Sequence, residues 1–246
     1  VTPVPAEVTL ELAGQSVSVQ SRLFGGWTAT LDPVREPGGS HTLAISVEGE
    51  VVRSLENVTF GDVWLCGGQS NMAFDMTTIN DSPAEIANAQ FPDIRLMEVD
   101  LRTAGKPQDD VVNLTQKWEP CSPGSVREFS GVGYLFGREI HQALGRPIGL
   151  IQSAWGGSRI ETWIPESSLQ ESPYGENVAG RSFAPLQHKP SICYNGMIHG
   201  LAPLAIKGVI WYQGENNQTH PEEYRSLHET LITSWRDLWN LPELPF

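Results

Sequence analysis

Cysteine is scarce: Cys66, Cys121 and Cys193 are the only three in 246 residues. They are too few and too far apart for a disulfide scaffold or a zinc site, although one disulfide beside one free thiol is compatible with them. No apolar run approaches the ~18 residues of a membrane helix, so no membrane span is expected. Basic residues are outnumbered, with 16 Lys and Arg against 29 Asp and Glu and a formal charge of −13. A nucleic-acid groove needs a concentrated positive field, and single scattered arginines exclude nucleic acid as the main partner. The first residues have neither a basic n-region nor an apolar h-region, so no signal peptide is visible. No repeat or low-complexity tract is found. With 39% hydrophobic and 18% charged residues, the composition supports one large domain, or one domain with a small partner.

Four Asn-X-Ser/Thr sequons begin at Asn57, Asn80, Asn113 and Asn217. They point to a lysosomal or secreted glycoprotein.

The hydropathy pattern changes near residue 60. Residues 1–60 hold short alternating segments at 8–12, 17–20, 27–31 and 41–47, with turns such as Ala13-Gly14 and Glu48-Gly49 between them. Strands this short and evenly spaced predict a small β-sandwich-like region. Residues 61–246 alternate apolar strands with helical periodicity. Strands are expected at 63–66, 94–99, 148–152 and 208–212, and helices at 132–144 and from Pro221 onward. This order predicts an α/β domain, a parallel sheet flanked by helices.

In such a sheet, sites form beyond the carboxyl ends of strands. Three polar, glycine-rich loops stand there. Gly67-Gly68-Gln69-Ser70-Asn71-Met72 places a serine just past a strand-end turn, where backbone N–H groups are free to hold an oxyanion. On local sequence alone the same residues read first as a polar turn with Ser70 as a helix cap. In Ala154-Trp155-Gly156-Gly157-Ser158, the glycines permit close backbone approach to a ligand, or simply a tight turn. Gln213-Gly214-Glu215-Asn216-Asn217 gathers amides and a carboxylate, from which Gln213 or Asn216 could complete an oxyanion hole.

Taken together, the loops match one family in order and wording. The likeness covers about residues 20–246 and is concentrated at 60–72, 134–138, 147–151, 155–163, 194–199 and 204–216. It resembles the sialate O-acetylesterases, a branch of the SGNH-type serine esterases. The resemblance implies an SGNH-hydrolase-like fold and removal of acetyl groups from sialic-acid hydroxyls, chiefly at the 9-position. It implies Ser70 as nucleophile and an oxyanion hole from Ser70, Gly156 or Gly157, and the Gln213 side chain. Gln69, Asn71, Glu215, Asn216, Arg159 and His199 are the expected pocket residues. Arg159, with Arg181 as second candidate, would meet the sialate carboxylate. No cofactor or metal is implied, and no His/Asp/Glu cluster has ligand spacing.

The resemblance also implies a late Asp-X-X-His block supplying base and orienting acid, which serine needs. No aspartate here has a histidine three residues later. The expectation is therefore a nucleophile-bearing portion, truncated before that block. A C-terminal chain or segment would complete the site, as in the family's lysosomal form, which is cut in two. Two other readings stay open: a non-catalytic carbohydrate-binding fragment, and an acetylesterase acting on plant polysaccharide.

Overall fold

The computed structural model describes residues 4–34, 36–111, 113–202 and 204–246. The chain divides into two compact units, Val1–Gly61 and Asp62–Phe246.

The first unit is one antiparallel sheet of four strands: β1 (Glu7–Leu12), β2 (Gln15–Gln20), β3 (Gly38–Val47) and β4 (Glu50–Phe60), in the order β2-β1-β3-β4. Val8, Leu10 and Leu12 alternate inward along β1. Ala13-Gly14 and Glu48-Gly49 join the two hairpins, all four residues having positive φ, as two-residue turns matching strand twist require. The expected sandwich is corrected to a single sheet among the described residues. Residues 27–31 form no strand; the Gln15 side chain instead holds both the N–H and the carbonyl of Asp32.

The second unit runs β5 (Asp62–Gly68), α1 (Ser70–Ala73), α2 (Ser82–Ala87), β6 (Phe91–Val99), β7 (Leu114–Cys121), α3 (Gly131–Leu144), β8 (Ile148–Ala154), α4 (Glu166–Glu171), α5 (Gly175–Ala179), β9 (Gly208–Tyr212) and α6 (Pro221–Trp239). Its sheet has the order β7-β6-β8-β5-β9. Strands β6, β8, β5 and β9 are parallel, and β7 is an antiparallel edge. The chain leaves β5 toward β6 and β8 and later returns to its other side as β9. That reversal of strand order creates a crevice at the carboxyl end of β5.

Side chains alternate across this sheet into two cores. Leu65, Met97, Ile151 and Val209 join Trp163, Leu231 and Trp235 on one face. Cys66, Leu96 and Leu150 join Met72, Phe129 and Tyr134 on the other. Helix α3 starts where the Ser130 hydroxyl accepts from Gly133 N–H at 2.9 Å and stops at Gly145, with φ of 62°. Helix α6 opens on Pro221 and ends at left-handed Asn240.

All three cysteines are free and buried. Burial pushes the thiols of Cys66 and Cys193 up to about 12 and that of Cys121 to about 11. Thiolates, which react with disulfide reagents, are therefore suppressed. Native protein is expected to show almost no reaction with an aromatic disulfide at neutral pH, and all three thiols should react after unfolding. Rapid reaction of the native protein would contradict this packing.

Candidate active site

The register of the sheet brings three strand ends level. Gly68 of β5 pairs with Ala154 of β8 on one side and Tyr212 of β9 on the other. Trp155 N–H donates to Gly68 O at 3.1 Å, and Gln69 N–H to Tyr212 O at 2.9 Å, so the loops leave the sheet still bonded together. Gly68 has φ of 144°, and a Cβ there would stand 2.0 Å from the Tyr212 carbonyl oxygen. Only glycine permits this approach.

The turn ends at Ser70, half-buried at the start of α1. Met72 and Ala73 N–H groups both go to Gln69 O at 3.0 Å. The N–H groups of Ser70 and Asn71 have no protein partner among the described residues, and neither does the Ser70 hydroxyl. A Cβ on Gly156 would lie 3.8 Å from the Ser70 Cβ, so the second loop passes directly beside the serine. The N–H groups of Gly156 and Gly157 are likewise unused among the described residues. Two adjacent loops therefore carry backbone donors without a protein partner beside one serine, an arrangement suited to holding the oxyanion of acyl transfer.

The third loop contributes differently from expectation. Gln213 Nε2 lies 2.8 Å from Asn217 Oδ1, 3.1 Å from Gln69 Oε1 and 3.2 Å from Ser158 O. Its two protons have acceptors inside the protein, whereas the expectation made it a free oxyanion donor. Gln69 is also internal rather than a pocket residue: its Oε1 accepts from Gln213, Gly214 N–H and Asn216 N–H. Asn217 is 4% exposed. Its Oδ1 accepts from Ile160 N–H at 3.0 Å and its Nδ2 donates to Glu161 at 2.8 Å. A glycan on that nitrogen would break the bond and has no room, so Asn217 is removed from the glycosylation sites. Asn57, Asn80 and Asn113 are exposed. Arg181 is corrected too: it pairs with Glu161 at 3.6 Å and with Glu223, inside the fold rather than facing substrate.

The remaining candidates divide. Asn71 Nδ2 donates to Glu215 across the mouth of the site, and Asn216 Nδ2 donates to Gly157 O. Arg159, half-buried, forms no ion pair among the described residues, and its buried Nε has no partner. Half-buried His199 binds the Gln108 carbonyl at 2.9 Å and packs edge-on against Tyr194. Three residues are additions. His188 Nε2 lies 3.2 Å from Asn216 Nδ2, although its Pro-rich surroundings carry no local signal. Glu161 is fully buried, and its only sequence cue is an acid within an apolar run. Glu98 lines a cavity of about 410 Å³ with Asp75, Thr77, Gln152, Ala73 and Gly156. Burial, then the charges of Glu128, Asp100 and Asp75, push its carboxyl up to about 7.

Among the described residues, His220, Glu222 and Glu223 bring ligand-type atoms within 4.8 Å of one another. Glu223 is already bound to Arg181, and the group sits at the positive end of α6, which disfavours a cation.

Gly68→Ala is expected to destabilise the second unit by about 3 kcal/mol or more, because a backbone carbonyl cannot move aside. Gly156→Ala meets only ordinary contact distances and is expected to cost about 1 kcal/mol or less. Urea unfolding of both variants checks this, and equal midpoints would contradict it.

Comparison with known proteins identifies the family. A family model described as a carbohydrate esterase, sialic acid-specific acetylesterase, matches residues 60–246. The sialate O-acetylesterases of Pongo abelii and Homo sapiens are each 34% identical over 232 residues, covering 87% of this chain and 43% of theirs. That of Mus musculus is 31% identical over 252 residues, covering 87% of this chain and 46% of its own. The chain thus spans less than half the length of these relatives. The crystal structure of a carbohydrate acetylesterase from Xanthomonas citri matches with a TM-score of 0.88 at 33% identity, covering 98% of this chain and 52% of that one. The chain belongs to the sialic acid-specific acetylesterase family of carbohydrate esterases.

Proposed function

We propose that Ser70 is the nucleophile of a serine esterase that removes O-acetyl groups from sialic acids, with the 9-O-acetyl group preferred. The observation carrying this reading is the unpartnered Ser70 hydroxyl, set beside Gly156 among unused N–H groups from two loops. Ser70 Oγ attacks the acetyl carbonyl carbon and gives its proton to a base. The tetrahedral intermediate then collapses, the bond to the sugar oxygen breaks, and that oxygen takes the proton. Water next attacks the acetyl-Ser70 ester and releases acetate. Free N–H groups beside the carbonyl stabilise both tetrahedral oxyanions; losing one such donor typically costs about 10²–10³ in rate.

The base and its orienting acid are proposed to lie beyond residue 246, in an Asp-X-X-His block on a C-terminal segment or second chain. The sequence supports this, having no such spacing. The exposed sequons at Asn57, Asn80 and Asn113 are consistent with a lysosomal or secreted site of action. Arg159 is the proposed contact for the sialate carboxylate.

One feature favours a second reading. The cavity beside Gly156 is walled by Asp75, Glu98 and Glu128. Carboxylates accept well from sugar hydroxyls and repel an anion, which suits a neutral acetylated polysaccharide.

The test is hydrolysis of 9-O-acetylated sialic acid, acetylated xylan and nitrophenyl acetate, by this chain and by an extended one. Fluorophosphonate labelling maps the nucleophile. The expected result is a label on Ser70 and strong activity toward the sialic acid in the extended chain only. An oxyanion hole without its base still gives roughly 10³–10⁴ over water, so this chain alone should be faintly active. Equal activity of the two chains would place the base within these 246 residues, with His188 the first to mutate. Labelling elsewhere with Ser70 clean would exclude the mechanism, and a xylan preference would favour the second reading.

A further inference from the structure

The third loop is built to hold rather than to donate. Three acceptors already surround the two protons of Gln213 Nε2. Turning the amide over would aim its carbonyl at the same three acceptors, so this orientation is the one the surroundings permit. We infer that Gln213, Asn217 and Glu161 form a positioning relay that sets the nucleophile turn against the second loop, beside the backbone N–H donors that the proposed function already uses. This rests on the reading of Ser70 as the nucleophile.

Each link joins different segments. Glu161 follows the second loop, and its carboxylate accepts from Asn217 Nδ2. Asn217 Oδ1 then takes Ile160 N–H and Gln213 Nε2, locking the third loop to the second. Gln213 passes to Gln69 Oε1, and Gln69 is bonded through its chain to Ser70. Gly214 and Asn216 N–H groups reach the same Gln69 oxygen at 3.3 Å. Every member from Gln69 to Glu161 is buried, so water does not replace a broken link. A displacement of about 1 Å at the reacting serine is enough to cost about 10²-fold in rate.

The charge at the end of the relay explains which variants are informative. Arg181 neutralises one of the two carboxylates of Glu161 and Glu223, leaving one net negative charge when all are ionised. Glu161→Gln keeps an acceptor for Asn217, removes the surplus charge and leaves Arg181 paired with Glu223. Glu161→Ala removes the acceptor. Asn217→Asp preserves volume but sets a second carboxylate against Glu161. When protonated, the introduced group can again donate to Glu161.

The experiment uses the esterase carrying its C-terminal part. Titration with a fluorophosphonate counts competent Ser70 sites, and nitrophenyl acetate turnover gives kcat per titrated site. Asn217→Ala and Glu161→Ala are expected to lower kcat per site about 10–100-fold, with KM changed less than about threefold. Glu161→Gln should retain most of the activity. Gln213→Ala with Asn217→Ala should be no worse than either alone, because the two act in one relay. For Asn217→Asp, the ratio of variant to wild-type kcat should rise as the pH falls. This measurement does not depend on the alanine variants folding.

Two results would overturn the relay. In one, Gln213→Ala alone falls about 10²–10³-fold while Asn217 and Glu161 variants keep wild-type kcat per site, as for a direct donor. In the other, variants lose only melting temperature and the number of titratable sites, while kcat per site and its pH profile stay those of the wild type. Wild-type enzyme unlabelled at Ser70 would instead sink the nucleophile assignment, and the relay with it.

Discussion

The site depends on one close contact, the approach of the Tyr212 carbonyl to Gly68, where a Cβ would stand 2.0 Å away. It lets β5 end level with both neighbours and turn at once into Ser70. Because Gly68 pairs with Ala154 and Tyr212, the three loops emerge side by side rather than staggered. A sheet with staggered ends would separate them by the ~3.3 Å rise of each strand residue. That is as much as the spacing of a hydrogen bond, and would put Gly156 out of reach of Ser70.

Beneath the loops, a polar network occupies space that could have been apolar. Glu161 is fully buried and Glu223 is 3% exposed, both on Arg181. Taking an ion out of water costs several kcal/mol even after relaxation, and a paired buried ion returns little or no net stability. Against a typical net stability of ~5–15 kcal/mol, such a group is weakly accounted for by folding alone. Directional bonds supply what apolar packing does not. Through Asn217 and Gln213 they hold three loops from distant parts of the chain at defined angles. The apolar cores carry the stability, with Trp163 and Trp235 fully buried and joined by a 2.9 Å bond from Trp235 Nε1 to Trp163 O.

Periodicity made the long elements of the second unit legible. Helices α3 and α6 and the buried strands β5, β6, β8 and β9 lie where apolar spacing and end signals place them. β4 escaped because residues 50–57 are exposed and show no alternation, and β7 because its exposed edge residues read as loop. Residues 27–31 alternate apolar and polar side chains as a strand would, yet they pair with no neighbour among the described residues, and Gln15 holds the adjoining Asp32 backbone instead. In the site, the three loops were legible as strand-end motifs, but the partners of their side chains were not. Gln213 looks like a free donor until its neighbours are in place. Asn217 has the form of a sequon, and only its burial removes it. Arg181 and His188 lie far along the chain from the groups they meet, and no local pattern reports such a meeting.

The central claim is that backbone N–H groups of Ser70 and Gly156 receive the oxyanion while Gln213 holds the scaffold. A crystal structure of the protein with Ser70 phosphonylated tests it most directly, since the phosphonyl oxygen stands where the oxyanion forms. The account expects that oxygen about 2.7–3.1 Å from both N–H groups, with Gln213 still bonded to Asn217 and Gln69. Gln213 Nε2 turned away from those partners and onto the phosphonyl oxygen would contradict it.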